Sequence, residues 1–579
     1  MKNVQFLVIG VLVMLVCFSC DDSDSDTSNK PPQITLAAEL TGVDPFTYHF
    51  TTEADDPEGD PLTYTWDFGE GTVREGNSEE TFSFAAGATY LVKVSVSDGN
   101  HTSSISSTVT SKSVSLGLDP EQTYQTIDGF GGAGAAIPFY LGADAGRYDQ
   151  GDGYFDEAWL DLMVNDWGAT IFRAAVSPSY EAFPGDFDEN RKSPLWEKDV
   201  NNQNIPTSNY YYDGVNTPTG PVGSQLSTTA KYAKALKEKI EANGEELKYI
   251  LSVWTPPAWM KTNGNHMKGS LKTEHFDEFA TFLASYIKKF KELSGVDPYA
   301  LSIQNEPNLE HPEWTFGCSY TGNNYRDLLK MVNDEFIAQD IDIHFYGPET
   351  VRFMYRMTNI MDPVFADDQA HPIIDIMATH SYGGDGIALE SNSASEWETL
   401  YNYTQQKGTK PFWMSETEEN GGWQGALTGA KRILSALKFG KVSAWVWWSV
   451  GAPGWETNIR NGFTQNGVTS SERQKYWTSK NFYKFIRPGA VQIGSDSDND
   501  LFGIVAFKHE ANNVTTIVAI NDSSEESVVV LDGEQLPDTF EIYVTSETSE
   551  CELKGTLEGG KNWFVMAPKS VYTLQSVPE

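Results

Sequence analysis

Ala300-Leu301-Ser302-Ile303-Gln304-Asn305-Glu306-Pro307 is a short, mainly apolar run that stops at two amides, a carboxylate and a proline. An apolar run of this length without strict alternation describes a strand buried on both faces, as parallel strands are when helices cover them. Similar runs recur at Ala169–Phe172, Tyr249–Val253, Ile343–Tyr346, Ile374–Ala378, Phe412–Met414 and Ala444–Trp447, after a Gly-rich one near Ile127–Gly132. Between them the apolar period changes to that of amphipathic helices. From His275 to Leu293, Phe276, Phe279, Phe282, Leu283, Tyr286, Ile287 and Phe290 share one helical face; Tyr232, Ala233, Leu236 and Ile240 mark another helix, and Tyr325, Leu328, Leu329, Val332 and Phe336 a third. Eight strands alternating with helices predict a (β/α)8 barrel or an open doubly wound sheet. No Gly-x-Gly-x-x-Gly joins a strand to a helix, which removes support for the dinucleotide-binding version.

The flanks read differently. From about Pro32 to Ser113 the chain alternates with period two, as in Tyr90-Leu91-Val92-Lys93-Val94-Ser95-Val96, and predicts a small immunoglobulin-like β-sandwich over 32–113. Beyond about Lys484 the helices stop. Phe502–Phe507, Val514–Ile520, Ser527–Leu531, Phe540–Val544 and Ser570–Leu574 predict a β-sandwich side domain over 484–579, to which Ser113–Gln125 is expected to add strands. The barrel itself is expected over 114–483.

The N-terminus reads as a leader. Lys2 is followed by the apolar run Phe6–Val16, too short to span a bilayer comfortably, then Ser19 and Cys20. Residues 21–31 form an acidic linker that opens Asp21-Asp22-Ser23-Asp24-Ser25-Asp26. The segment 1–20 resembles a bacterial lipoprotein signal, which implies lipidation of Cys20 and an outer-membrane, cell-surface location, with the membrane met only through that anchor. Cys17 stands where Leu is usual. Only Cys318 and Cys551 lie in the body of the chain, so free thiols are expected rather than a disulfide framework or a zinc site. With 41 basic against 81 acidic side chains the formal charge is −40, which repels nucleic acid and anionic membranes and leaves a neutral polysaccharide unaffected.

Barrels keep their reactive groups at the C-terminal ends of strands. The residues that follow the runs are Arg173, Trp254, Asn305 with Glu306, His380 with Tyr382, Glu416, and Trp448. Most of the chain's 81 acidic groups belong to a solvated surface. Glu306 and Glu416 differ in that each ends an apolar strand, where a charge is costly without a purpose. Two carboxylates facing one cleft suit glycosidic-bond hydrolysis, one protonating the leaving oxygen and the other attacking the anomeric carbon. Asn305 suits the sugar's 2-hydroxyl or a strand-end cap. Tyr382 and Arg173 suit support of Glu416. Trp254 and Trp448 offer faces to a sugar ring, Trp448 the better of the two, with Trp259 and Trp423 on the rim. No metal ligands cluster at metal spacing in the sequence, and neither metal nor cofactor is expected.

Two family resemblances follow from these residues. Tyr64-Thr65-Trp66-Asp67-Phe68-Gly69-Glu70-Gly71, then Phe84, Gly87, Tyr90 and Val94-Ser95-Val96-Ser97-Asp98-Gly99, resembles the polycystic kidney disease (PKD) domain, which implies a spacer. Gln125-Thr126-Ile127-Asp128-Gly129-Phe130-Gly131-Gly132, Trp254-Thr255-Pro256-Pro257-Ala258-Trp259-Met260-Lys261, Ser302-Ile303-Gln304-Asn305-Glu306-Pro307, Trp413-Met414-Ser415-Glu416 and Phe485-Ile486-Arg487-Pro488-Gly489 are similar to glycoside hydrolase family 30. That resemblance implies a TIM barrel with a β-sandwich side domain, a retaining mechanism without metal, Glu306 as acid/base and Glu416 as nucleophile. It also implies a β-linked substrate, for which the family offers β-1,6-glucan, glucuronoxylan, or single glucosyl and xylosyl units. Cys318-Ser319-Tyr320-Thr321-Gly322 is similar to the polysaccharide-cleaving bacterial members. After Arg173 the chain reads Ala174-Ala175-Val176-Ser177-Pro178-Ser179-Tyr180 where many members carry an Asp, and the stretch to about Gln225 is expected to wall the cleft. The competing reading is a surface glycan-binding protein on a barrel that has lost catalysis; the presence of both glutamates argues against it.

Overall fold

The computed structural model describes residues 29–578 apart from 41–45, 70, 85–88, 111–112, 134–156, 179–224, 310–315, 352–353, 384–385, 392–395, 407, 420–421, 449, 451–472 and 535. The leader with Cys17 and Cys20, and nearly all of the expected cleft wall before Gln225, lie outside the described residues. The chain divides into two compact units, one formed by residues up to 115 with Ser527–Leu531 and Trp563–Val565, the other by the remainder.

The N-terminal unit holds two antiparallel sheets. One orders Gln33–Leu40, Thr47–Asp55 and Glu79–Ser83; the other orders Val73–Gly76, Thr63–Asp67, Thr89–Ser97 and Thr102–Thr110. Alternation along Thr89–Ser97 turns Tyr90, Val92, Val94 and Val96 inward onto Phe50, Trp66, Phe68 and Phe84. The indole of Trp66 is buried and donates to the Asn77 carbonyl at 2.9 Å, which satisfies its one polar atom.

The second unit contains a closed barrel of parallel strands: β1 Gly129–Ala133, β2 Ile171–Ala175, β3 Lys248–Ser252, β4 Ala300–Ser302, β5 His344–Thr350, β6 Ile374–His380, β7 Phe412–Thr417 and β8 Ala444–Trp448. The open-sheet alternative is thereby removed. Ala133, Ile171, Ile250, Ala300, Tyr346, Ile376, Ala378, Trp413, Ala444 and Val446 fill the interior, so the barrel is a packed core with chemistry possible only at its mouth. The glycines of β1 have a steric reason: a Cβ on Gly131 would come within 1.6 Å of the Ile171 carbonyl oxygen. Outside, the predicted aromatic helix runs Phe276–Ser294 with all seven expected apolar side chains buried. Gly295 ends it in the left-handed conformation, its N–H returning to the Lys291 carbonyl.

Several strands run further than their apolar residues suggested. β5 continues past Tyr346 to Thr350, β6 past Ala378 to His380 and β7 past Met414 to Thr417. Each extension carries the polar residues that face the mouth, which is why apolarity alone ended the strands early. After the last barrel helix, Arg473–Tyr483, the strands Ser549–Leu557, Phe540–Ser546, Ser570–Ser576, Val514–Asn521, Phe502–His509, Val491–Ser497 and Val114–Thr126 pair in that order as one antiparallel array. Within it, Ser549–Leu557 is a mostly exposed edge strand with little alternation to reveal it. Cys318 and Cys551 are buried free thiols.

Candidate active site

The mouth of the barrel is organised around one cation. Arg173, in β2, has no exposed surface, and its guanidinium reaches four neighbouring strand ends. Nη1 donates to Glu416 Oε2 at 2.5 Å, Nη2 to Asn305 Oδ1 at 2.6 Å and to Ser252 Oγ at 3.2 Å, and Nε to Glu349 Oε1 at 3.0 Å and Tyr346 Oη at 3.3 Å. Its flat face lies 4.5 Å from the Trp254 ring centroid. A planar fork with five donors can serve so many acceptors; an ammonium could not. Burial opposes the charge, but Glu349, Tyr346 and Glu416 together raise the guanidinium's pKa further, so it is permanently charged.

Glu306 and Glu416 converge from β4 and β7. Glu306 is left-handed, with φ of 49°, a conformation that costs energy in a non-glycine residue and persists where neighbours fix it. Its N–H donates to the Glu349 carbonyl at 3.1 Å, the preceding Asn305 N–H to the Val253 carbonyl at 2.7 Å, and Gln304 Nε2 to the Trp254 carbonyl at 2.8 Å. Glu416 receives Arg173 on Oε2 and the Tyr382 hydroxyl on Oε1 at 2.7 Å. Burial and the adjacent Glu416 push the Tyr382 phenol well above its usual range, so it remains a donor.

His380, at the end of β6, faces both glutamates through one ring nitrogen. Its Nδ1 is 3.1 Å from Glu306 Oε1 and 4.0 Å from Glu416 Oε1, while Nε2 is 3.6 Å from Glu349 Oε1. Burial alone would lower the imidazole's pKa, but Glu416, Glu306 and Glu349 overcome that and raise it to about 9. One ligand atom each from Glu306, His380 and Glu416 lies within 4.8 Å of the others, a spacing that a cation could bridge. Each of the three residues is already spoken for, however: Glu306 by His380, and Glu416 by Arg173 and Tyr382. The positive charge is supplied by side chains.

All the sequence-predicted strand-end residues meet here, in different ways. Asn305 is buried and held through its oxygen by Arg173. Trp254 is only 3% exposed and one face is spent on Arg173, so it packs the site more than it opens to a ligand. Trp448 is half-buried beside it, ring centroids 5.9 Å apart. Trp259 meets the His275 ring edge-on and Trp423 packs partly buried against the helical core. Lys261, from the Pro-Pro-Ala-Trp-Met-Lys stretch, is buried and ties the loop together through Thr255 Oγ1 and the carbonyls of His266 and Gly317 at 2.6–2.9 Å. Burial pushes that amine down to about 8. Sequence reasoning missed Glu349, Ser252 and Tyr346. The signal for Glu349 was a carboxylate three residues beyond the run Ile343–Tyr346, hidden because the strand was read as ending there.

Buried carboxylates converge across the mouth of a parallel barrel, one braced by arginine and tyrosine, an arrangement that suits a barrel glycoside hydrolase. Residues 230–458 match the glycosyl hydrolase family 30 TIM-barrel domain and residues 29–112 the PKD domain. It is 27% identical over 339 residues to glucuronoxylanase XynC of Bacillus subtilis (strain 168), covering 56% of this chain and 72% of that protein. To the endo-1,6-beta-D-glucanase neg1 of Aspergillus fumigatus it is 21% identical over 384 residues, covering 62% and 70%. Its fold is similar to that of the family 30 subfamily 8 xylanase Xyn30A from Clostridium acetobutylicum, with a TM-score of 0.57 at 20% identity over 80% of this chain and 99% of that one.

Proposed function

We propose that this protein hydrolyses a β-linked polysaccharide, of the β-1,6-glucan or xylan and glucuronoxylan type, by double displacement, with Glu416 as nucleophile and Glu306 as acid/base. The observation that carries the reading is the closeness of the two carboxylates, whose facing oxygens lie within 4.8 Å. Retaining enzymes hold the pair about 5–5.5 Å apart, whereas inverting enzymes need about 6.5–9.5 Å to admit a water. In the first step Glu416 attacks the anomeric carbon while Glu306 gives its proton to the departing glycosidic oxygen. In the second, Glu306 takes a proton from water, which displaces Glu416 and restores the β configuration. Arg173 and Tyr382 bind the two oxygens of Glu416 and keep it aimed. With Asn305 Oδ1 taken by Arg173, the amide NH2 is left for the sugar's 2-hydroxyl, and Trp448 supplies the ring-stacking face.

Among the relatives, a glucuronoxylanase and an endo-1,6-beta-D-glucanase favour the polymer by name. A polymer is also met outside the cell, in keeping with a leader over 1–20, lipidation at Cys20 and a cell-surface location, with the PKD domain as spacer. The test is reducing-sugar release from pustulan, laminarin and glucuronoxylan. Activity in the wild type that disappears in Glu416→Ala supports the enzyme; glycan binding without cleavage of any polymer would replace it by the binder.

A further inference from the structure

A third carboxylate lies behind the pair. Glu349, at the end of β5, has no exposed surface and so reaches neither solvent nor substrate. Such a group is costly unless compensated, and here it is compensated on every side. Arg173 Nε is 3.0 Å from Oε1, the Ser252 hydroxyl donates to Oε2 at 2.6 Å, and His380 Nε2 is 3.6 Å from Oε1. The phenols of Tyr346 and Tyr325 are the other titratable groups that face it. Its backbone is engaged as well: Glu349 is left-handed, φ 53°, and its carbonyl accepts the N–H of the equally left-handed Glu306.

We propose that Glu349 is a positioning residue, a buried counter-ion that fixes His380 and Arg173 and through them orients Glu306 and Glu416. The proposal rests on the assignment of those two glutamates to the double displacement. Consider the charges. Before attack, Glu416 and Glu349 are anions, Glu306 is protonated, and Arg173 and His380 are cations, so the buried cluster is neutral. In the glycosyl-enzyme Glu416 is an uncharged ester, Glu306 has become the anion, and the cluster is neutral again. The negative charge has moved between the two carboxylates that face His380 Nδ1, from the one at 4.0 Å to the one at 3.1 Å. Without Glu349 the same cluster carries an excess positive charge in both states, and the cheapest relief is loss of the imidazolium proton of His380. His380 is faced by Glu306, Glu349, Glu416 and the Tyr382 ring, and Glu349 is the one of these carboxylates without a place in bond making.

The experiment is Glu349→Gln in the full chain, which keeps the shape and removes the charge. Expected are a kcat at least about tenfold lower, a KM within about threefold, and an alkaline limb of kcat/KM moved down by roughly one pH unit or more, as follows from removing an anion so close to His380. An unmoved limb overturns the proposal, even if kcat falls, because a purely structural role would lower activity without moving it. If the wild type proves inert on every polymer, the glycosidase assignment has failed instead. The counter-ion role is then read from the His380 imidazole by 15N NMR, its signal identified by its loss in His380→Asn. An imidazolium at pH 8 in the wild type and a neutral ring in Glu349→Gln support it. The same protonation state in both, or a neutral ring at pH 7 in the wild type should the variant not fold, overturns it.

Discussion

Replacing Arg173 by Met tests how the site is held together. The substitution keeps roughly the volume and removes a fully buried charge that touches Glu416, Glu349, Asn305, Ser252 and Tyr346. Removing one partner of a buried ion pair costs about 3–5 kcal/mol, because the other charge is left without compensation. For a domain of this size that is a fall in Tm of roughly 3–6 °C. The loss depends on pH in a definite direction. Burial pushes the Glu349 carboxyl up, but Arg173, His380 and Ser252 hold it down at about 2. In the wild type, the stabilisation is therefore present above the ordinary carboxylate range and lost as pH falls through about 2. In Arg173→Met burial dominates, Glu349 takes up a proton more readily, and the penalty is relieved on acidification. The gap in Tm, measured by calorimetry, is expected to be widest near pH 7 and to narrow below about pH 5. Turnover should drop about 100-fold or more as Glu416 loses its aim. Arg173→Lys should recover little, since one ammonium cannot replace the fork. A Met variant with the wild-type Tm at pH 7, or a gap that widens in acid, would refute the reasoning.

Three further outcomes follow from the same contacts. Glu306→Gln should slow polymer hydrolysis by about 10²–10⁴-fold, yet cleave an aryl glycoside with a good leaving group at a much smaller loss in its first step, read as an aryl-alcohol burst. Tyr382→Phe removes one charge-assisted hydrogen bond, worth about 1.5–3 kcal/mol, from Glu416 Oε1. Steady-state assays should show kcat lowered roughly 10- to 100-fold with KM nearly unchanged. Trp448→Ala removes a half-buried aromatic face. It is expected to raise KM for polymer several-fold, about 1 kcal/mol of contact, and to leave the burst on a small aryl glycoside almost untouched.

Most of the barrel was legible because its strands are apolar on both faces and its helices carry aromatic stripes such as Phe276 to Phe290. The polar strand ends were legible only as lone residues following each run. Their meeting at Arg173 was not, since nothing in the chain order of Arg173, Asn305, Glu349 and Glu416 states that one guanidinium touches all of them. Glu349 was overlooked for a specific reason: the apolar run of β5 stops at Tyr346, but the strand continues through Gly347, Pro348 and Glu349. Trp254 shows the opposite error. Its position suggested a sugar platform, and the ring is instead buried with one face packed against the site's own cation. The edge strand Ser549–Leu557 gave no apolar signal because little of it is buried.

The most direct measurement is to trap the enzyme with a 2-deoxy-2-fluoro β-glycoside bearing an activated leaving group and to map the adduct by peptide mass spectrometry. A stable ester on the peptide containing Glu416, absent from Glu416→Gln, with β anomer as the first-formed product from natural substrate, is the expected result. An adduct on a different side chain, or initial release of the α anomer, would contradict it.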